Sequence, residues 1–315
     1  MSDIDLLVKR SRGGDPRAVA RLISLVENDS PELPDVMAAL VAHAGTAAVV
    51  GITGSPGVGK STMTSALVSA YRAERKRVGV LAVDPSSPFT GGALLGDRVR
   101  MQEHAMDREV YIRSMATRGH LGGLAAATPQ AVRVLDAAGC EVILIETVGV
   151  GQSEIEIAAL ADTTIVLLAP GMGDGIQAAK AGILEVGDVF GVNKADHDGA
   201  EHVVRDLKAM TRMVERAAGD WRQPIVSTVA SAGRGIDEMM EAITKHREWL
   251  TDSGELGRRR RRRVRDEIEA LALTTLRQRF SDLHGDDRLD TLADRVLLGE
   301  LNPYSAAEEI VATVS

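Results

Sequence analysis

The residues of this chain with the clearest chemical pattern begin at Gly51, in the stretch GITGSPGVGKSTMTSAL. Residues 54–61 within it, GSPGVGKS, fit the pattern G-x-x-x-x-G-K-[ST]. Glycines let a backbone wrap closely around phosphates, so that successive N–H groups point inward, and a helix beginning near Lys60 adds its positive end. The apolar run before the loop predicts a strand, which is the context that the motif requires. The stretch therefore predicts a phosphate-binding loop.

The side chains of this loop predict a nucleotide with bound magnesium. The Lys60 ammonium can neutralise the β- and γ-phosphates, and the Ser61 hydroxyl can ligate Mg²⁺. The candidate nucleotide-binding residues here are Gly54, Ser55, Pro56, Gly57, Val58, Gly59, Lys60, Ser61 and Thr62. The loop alone does not distinguish ATP from GTP, so the choice of base must come from another part of the chain.

The stretch NKAD, which begins at Asn193 after the apolar run DVFGV, predicts that the base is guanine. A carboxylate at Asp196 can accept hydrogen bonds from the ring N–H and the exocyclic amine of guanine, whereas adenine offers neither donor and would leave the carboxylate unpaired. Lys194 can lay its stem along the base, and Asn193 can tie this stretch to the phosphate loop. In the later stretch STVASAGRG, the backbone N–H of Val229 or Ala230 is expected to meet the guanine oxygen.

The stretch VILIETVGVGQSE ends a predicted strand with a carboxylate and offers a glycine three residues later. Glu146 can hold a magnesium-bound water or polarise the attacking water, and the Gly149 N–H can sense the γ-phosphate. Gln152 either orients water or is an ordinary polar loop residue. Asp84, at the end of RVGVLAVD, either lies near magnesium, directly or through water, or caps the following turn.

Short aliphatic runs alternate with helical stretches through the middle of the chain and predict its architecture. The runs are bounded by turn residues, and they are AAVVGIT (47–53), RVGVLAVD (77–84), EVILIET (141–147), TTIVLLAP (163–170), DVFGVNK (188–194) and QPIVSTVA (223–230). Strands that are apolar throughout are covered on both faces, so we expect a doubly wound, mostly parallel sheet of the α/β P-loop NTPase class. Ligands of such sheets bind beyond the carboxyl ends of the strands, where each motif lies.

Three segments are expected along the chain: an N-terminal helical segment at 1–45, a P-loop domain at 46–250 and a C-terminal helical arm at 251–315. In the first, Asp15 and Pro16 are predicted as an N-cap and a first-turn proline. The arm is too short to enclose a sizeable core of its own, so it is expected to pack on the main domain or on another chain, with a break at Asn302-Pro303. The six arginines at 258–263 are interpreted as a solvated helix face or a subunit contact.

Composition excludes several classes of function. The formal net charge is -8, which argues against general nucleic-acid binding. No apolar run approaches the roughly 20 residues of a membrane span. The single cysteine, Cys140, excludes an internal disulfide framework and predicts a reduced, cytoplasmic setting. The histidines show no metal-binding spacing, so no metal beyond the nucleotide's magnesium is expected.

Five stretches in order give the sequence a resemblance to a known family. They are DPSSPFTGGALLGDRVRM, TRGHLGGL, IETVGVGQSE, GDGIQAAKAGILEVGD and NKAD. Together they resemble the methylmalonyl-CoA mutase-associated GTPases of the MeaB type, relatives of the methylmalonic aciduria type A protein and formerly described as ArgK transport kinases. The resemblance implies a homodimeric chaperone GTPase. It would gate transfer of adenosylcobalamin from an adenosyltransferase to an adenosylcobalamin-dependent acyl-CoA mutase and help to eject damaged cofactor.

The resemblance also assigns roles to individual residues. It places the magnesium-linked carboxylates at Asp84, Asp97 and Glu146, beside the Ser61 hydroxyl. It places an additional switch at 170–181, with Asp174 and Lys180 as the residues of greatest interest.

The residues of that switch, PGMGDGIQAAKAG, predict a glycine-rich loop that enters a helix. A lysine swung from this helix toward the phosphates could stabilise charge in the transition state, as an arginine finger does. A solvated helix start is the alternative.

Three other functions stay open at this point. The first is a kinase or ATPase of a lysine/arginine/ornithine transport system, although such a kinase should use ATP and NKAD favours GTP. The second is a regulatory module in which the GTP-bound state matters and hydrolysis does not. The third is a nickel-delivery GTPase, which would need a Cys/His cluster that the sequence does not show. The sequence does not choose among methylmalonyl, ethylmalonyl and isobutyryl mutases as partner, and it predicts slow hydrolysis that the mutase accelerates.

Overall fold

The computed structural model describes residues 2–84, 101–104, 106–116, 127–147, 153–171, 185–213, 217, 219–281 and 287–314. The chain divides into two compact units, Met1–Gly257 and Arg258–Ser315. The first unit contains the parallel sheet and the candidate nucleotide site. The division into three segments that the sequence suggested stays a prediction.

One parallel sheet organises the first unit. Its strands are β1 (Ala48–Thr53), β2 (Val78–Asp84), β3 (Val110–Ala116), β4 (Val142–Glu146), β5 (Thr163–Leu168), β6 (Val189–Val192) and β7 (Ile225–Ser227). All neighbouring pairs are parallel, in the order β3-β2-β4-β1-β5-β6-β7. The chain moves from β1 to one side of the sheet and later, after β4, to the other. The strand order therefore reverses at β1, and ligands bind at such a switch point.

Helices cover both faces of this sheet. Those of the first unit, within the described residues, are α1 (Asp3–Arg12), α2 (Pro16–Glu27), α3 (Leu33–Leu40), α4 (Lys60–Ala73), α5 (Thr128–Ala137), α6 (Ser153–Leu160), α7 (Ala200–Met213) and α8 (Ile236–Asp252). The predicted N-cap is confirmed, because the Asp15 carboxylate accepts hydrogen bonds from the N–H groups of Arg17 and Ala18, and Pro16 begins α2.

The alternation of side chains in β1 explains why the predicted runs are apolar throughout. Ala48, Val50 and Ile52 pack into a core shared with α4 and α8. Val49 points to the opposite face, into a core shared with the N-terminal helices, α5 and α6. Because both faces are buried, no polar position interrupts the strand.

The strand β3 was missed by the sequence analysis, which otherwise found each strand of the sheet. It lies at one edge, where it pairs only with β2. Its middle residues, Ile112 and Arg113, are half-buried, and the Arg113 guanidinium bonds to the Glu27 carboxylate of α2. The arginine interrupts the apolar run by which the other strands were recognised. Its neutralising partner lies far away in the sequence, so no local pattern predicts that it can be half-buried in a strand.

The remaining helices lie toward the carboxyl end of the chain: α9 (Glu255–Ser281), α10 (Asp287–Leu297) and α11 (Pro303–Val314). The arginine run 258–263 is helical and lies within α9. The predicted break is confirmed, because the Asn302 side chain accepts hydrogen bonds from the N–H groups of Tyr304 and Ser305 at the start of α11. Across the part of the chain that the structure describes, no helix combines the length and apolarity needed to cross a bilayer.

Candidate nucleotide-binding site

The glycine-rich loop joins the end of β1 to the start of α4, as the sequence predicted. Gly54 has φ +138°, and a Cβ there would collide with the Leu167 carbonyl oxygen of β5. Gly59 has φ +93°, and a Cβ there would collide with the Asn193 side chain. Both backbone conformations are ones that other residues rarely adopt, so glycine is required at these positions for conformation and for space.

The Lys60 side chain folds back onto the first residues of the glycine-rich loop. Its ammonium donates hydrogen bonds to the carbonyl oxygens of Gly54 and Ser55, at 2.8 and 3.1 Å. The residue is only 8% exposed. A buried ammonium needs such acceptors to offset the loss of water. The loop therefore holds a positive charge at the position where the motif predicts phosphate oxygens.

Ser61 and Glu146 meet at the ends of adjacent elements. Glu146 ends β4 and pairs in register with Ile52 of β1, while Ser61 lies in the first turn of α4. The Ser61 hydroxyl donates a hydrogen bond to the Glu146 carboxylate, which is 4% exposed. Hydroxyl and carboxylate oxygens are ligands that Mg²⁺ accepts, so this pair fits a nucleotide-linked magnesium ion.

The other predicted metal ligands are less well defined by the structure. The backbone of Asp84 ends β2, two residues beyond the register pair Ala82 and Glu146. The strand thus ends on the same edge of the sheet as the magnesium pair. Asp97 lies outside the described residues.

The NKAD segment, residues 193–196, forms the base loop, and it is tied to the phosphate loop through Asn193. The Asn193 amide donates to the Val58 carbonyl at 2.8 Å, and its oxygen accepts from the Thr228 hydroxyl and the Ala230 N–H, at 3.2 and 3.1 Å. Asn193 is 3% exposed. It follows β6, whereas its partners lie in the phosphate loop and in the segment after β7. The predicted tie between the two loops is confirmed.

Lys194 makes a second connection to the phosphate loop. It has φ +57°, an uncommon conformation for a residue other than glycine, and its ammonium donates to the Gly57 carbonyl at 2.9 Å. This places the Lys194 ammonium beside the phosphate loop, and contact of its stem with a base stays a prediction. Asp196 is exposed and lines an open cavity of 610 Å³ together with Pro170, Gly171, His197 and Asp198.

The two predicted base-contacting amides already have partners in this structure. The Val229 N–H donates to the Arg234 carbonyl at 3.0 Å, and the Ala230 N–H donates to Asn193. To contact a guanine oxygen, one of these N–H groups would have to release its present acceptor and donate to the base instead. The sequence could not reveal this, because the competing acceptors come from the fold of the loop and from Asn193.

Five of the candidate functional residues lie outside the described part of the chain, and these are Asp97, Gly149, Gln152, Asp174 and Lys180. The structure adds two sets of hydroxyls that the sequence analysis missed. Thr228 bonds to Asn193, and Thr147 bonds to Thr53 beside the phosphate loop. A hydroxyl residue at the end of an apolar strand, next to a motif residue, is the signal that could have found both.

Four features together define a P-loop nucleoside triphosphatase. They are the sheet order, the glycine loop at the switch point, the buried lysine and the Ser61–Glu146 pair. The family model described as "Methylmalonyl Co-A mutase-associated GTPase MeaB" matches residues 19–284. The chain belongs to this family, and the protein is a GTPase.

Individual relatives agree with this assignment. A protein of Pyrococcus abyssi named as a putative GTPase is 46% identical over 314 residues, covering 99% of this chain and 97% of its own length. The mitochondrial methylmalonic aciduria type A homolog of Mus musculus is 35% identical over 264 residues, 82% of this chain and 63% of the mouse protein. Among solved structures, a "LAO/AO transport system kinase" aligns with a TM-score of 0.69 and 26% identity, over 100% of this chain and 99% of that one.

Proposed function

We propose that this GTPase is the chaperone of an adenosylcobalamin-dependent acyl-CoA mutase, and that it gates loading of adenosylcobalamin and protects or reactivates the mutase. The observation that carries the proposal is the match to the mutase-associated family over residues 19–284. Adenosylcobalamin would be linked to this chain only through the partner mutase, and an adenosyltransferase would be a further partner. The mouse relative is named as a methylmalonic aciduria type A homolog, which supports the same proposal.

The geometry supports a specific division of labour in hydrolysis. The amides of the glycine loop and the Lys60 ammonium bind the phosphates, and the ammonium exchanges its carbonyl partners for phosphate oxygens. Ser61 and Glu146 would hold magnesium, with Asp84 and Asp97 as further carboxylates; the bound ion would neutralise charge that develops on the β- and γ-phosphates. Water then attacks the γ-phosphate in a site where these donors are already oriented.

The remaining proposed residues act at the base and in partner control. Asp196 selects guanine, Lys194 lies along the base, and Asn193 ties their loop to the phosphate loop. The 229–230 segment contacts the guanine oxygen. Gly149 senses the γ-phosphate. Asp174 and Lys180 relay contact with the mutase to the phosphates.

The test is GTP turnover with and without a purified acyl-CoA mutase. We expect slow turnover by the GTPase alone and faster turnover with the mutase, together with GTP-dependent transfer of adenosylcobalamin into the apo-mutase. Methylmalonyl, ethylmalonyl and isobutyryl mutases should be compared in parallel. Equal turnover with and without every mutase, and transfer indifferent to GTP, would exclude the chaperone role while leaving the GTPase activity intact.

A kinase of a basic amino-acid transport system is the second candidate, because the structurally similar protein carries that name. The two functions differ in nucleotide. A transport kinase should phosphorylate a binding protein from ATP, whereas Asp196 favours guanine. Competition of ATP and GTP for the site, followed by an assay for a phosphorylated protein product, decides between them.

We also propose that residues 251–315 form a homodimerisation arm. Apolar side chains of α10 and α11 line a groove of 590 Å³ within the second unit, and some of them, including Leu297 and Val311, are well exposed. Apolar patches of this kind commonly mark interfaces. Light scattering should show a dimer, and Leu297→Glu should shift it to monomer; a monomeric wild-type protein would contradict the proposal.

A further inference from the structure

Two buried threonines join the phosphate loop to the strand that carries Glu146. Thr53 is the last residue of β1, and Thr147 directly follows β4. The Thr147 hydroxyl donates to the Thr53 hydroxyl at 3.0 Å, and the Thr147 N–H donates to the Ile52 carbonyl at 3.1 Å. Thr147 is 2% exposed and Thr53 is 0% exposed. Among the described residues, this pair is the contact nearest the carboxyl ends of β1 and β4.

The neighbours of these threonines give the pair its importance. Thr53 precedes Gly54, the first residue of the phosphate loop, and Thr147 follows Glu146. Consecutive side chains of a strand point to opposite faces, so Glu146 reaches toward α4 and Ser61 while Thr147 reaches across the other face of the sheet. The orientation of the Glu146 carboxylate is thus coupled to the contact that the next residue makes.

We propose that Thr147 is a positioning residue for GTP hydrolysis. Its hydroxyl fixes the end of β4 against the end of β1, so that the Glu146 carboxylate stays directed at Ser61 when magnesium is bound. The proposal rests on the magnesium role proposed for Glu146. It concerns hydrolysis itself and does not depend on which mutase is the partner.

A purely structural role is the competing explanation, because buried hydroxyls are normally hydrogen-bonded whatever their function. The two roles differ in what happens when both hydroxyls are removed. Replacing one partner leaves the other unsatisfied, whereas replacing both with apolar groups of similar shape can be nearly neutral for stability. A structural pair should therefore recover completely in the double valine variant, while a positioning pair should recover stability without recovering hydrolysis.

The experiment compares Thr147→Val, Thr147→Ser, Thr53→Val and the double variant T53V/T147V in the full-length protein. Single-turnover hydrolysis, GTP affinity, magnesium titration and thermal melting are measured for each. We expect T147V to hydrolyse GTP about ten- to a hundredfold more slowly, as small misplacements of reacting groups do, with nearly unchanged GTP affinity. More magnesium should be needed for half-maximal rate. T147S should restore the rate, and the double variant should melt near wild type but stay slow.

A control variant and Glu146→Gln distinguish failure of the Thr147 proposal from failure of the role proposed for Glu146. Thr163→Val removes a buried hydroxyl that lies 2.9 Å from the His246 ring nitrogen, at the amino end of β5 and away from the loop. It should lower the melting temperature and leave the hydrolysis rate unchanged. If E146Q is slow but T147V or the double variant hydrolyses at the wild-type rate, the positioning role is refuted and the role of Glu146 stands. If E146Q itself is as fast as wild type, the proposed role of Glu146 fails, and the positioning role fails with it.

Discussion

Asn193→Ala is the substitution whose effect can be worked out most directly from the structure. The side chain makes three hydrogen bonds, to the Val58 carbonyl, the Thr228 hydroxyl and the Ala230 N–H. Alanine leaves those three polar groups without this partner in a region that water barely reaches. Each buried group left unsatisfied costs about 1–3 kcal/mol, and partial relaxation reduces the sum, so we expect a loss of about 3–5 kcal/mol in the free energy of unfolding.

The same substitution should weaken nucleotide binding, because it separates the base loop from the phosphate loop. A fluorescent GTP analogue and a urea titration measure the two effects. Thr228→Val is the matched control: it removes one of the three bonds and leaves the Asn193 oxygen with the Ala230 N–H, so it should cost about 1 kcal/mol and little affinity. We expect N193A to bind GTP at least about tenfold more weakly than T228V, since a tenfold change corresponds to only 1.4 kcal/mol.

The reasoning fails if N193A and T228V are alike in either measurement. Equal stability would mean that the Val58 carbonyl and the Ala230 N–H find other partners at no cost. Equal affinity would mean that the base loop holds its position without the connection to Val58. Either result would remove the structural basis for treating the two loops as one unit.

Three further expectations concern the base, the phosphates and pH. Asp196→Asn should lower affinity for GTP and raise affinity for XTP, because the amide can donate where xanthine presents a second carbonyl; competition binding tests this, and unchanged preference would contradict it. Lys60→Met should lower the hydrolysis rate by at least about a hundredfold, as loss of an electrostatic stabiliser does, in a single-turnover assay. A hydrogen bond from a neighbouring arginine lowers the pKa of Asp107 and of Glu109. Their stabilisation is therefore complete above about pH 5, where both carboxylates are ionised even in the unfolded chain, and is lost as pH falls through the lowered values. Both side chains are partly exposed, so the free energies of unfolding from urea titrations at pH 7 and pH 3 should differ by under about 1 kcal/mol on their account. The difference should shrink in D107N/E109Q.

The strands that carry the site could be predicted because each is buried on both faces. β1, β4 and β6 contain no charged residue before their carboxyl ends, so the runs and their ends are visible in the sequence, and the motif residues follow at once. β3 could not be found in the same way. Its arginine is compensated by Glu27, which lies in a helix far away in sequence, and no local pattern records that pairing.

Side-chain partners were harder to predict than positions. The residue type at Asn193 predicted contact with the phosphate loop, and the structure confirms it. The bond from the Lys194 ammonium to the Gly57 carbonyl was not predicted. The Thr147 to Thr53 bond depends on the register between β1 and β4, which the sequence does not specify. The same holds for the amides at Val229 and Ala230, whose acceptors are supplied by the folded loop.

The hydrogen bonds within the protein around the phosphate loop imply that the connection between the base loop and the phosphate loop can persist when nucleotide binds, while the phosphate side must rearrange. Asn193 and Lys194 hold the loop through carbonyl oxygens, which a nucleotide leaves in place. Lys60 and Ser61 instead hold groups that phosphate and magnesium would take over: the ammonium is bonded to loop carbonyls and the hydroxyl to Glu146. The connection between the two loops can therefore stay in place. Contact with the guanine oxygen instead requires the Val229 or Ala230 amide to change its acceptor, and placement of the γ-phosphate requires the contacts of Lys60 and Ser61 to be exchanged. Any partner that favours this exchange would accelerate hydrolysis without supplying a catalytic group of its own.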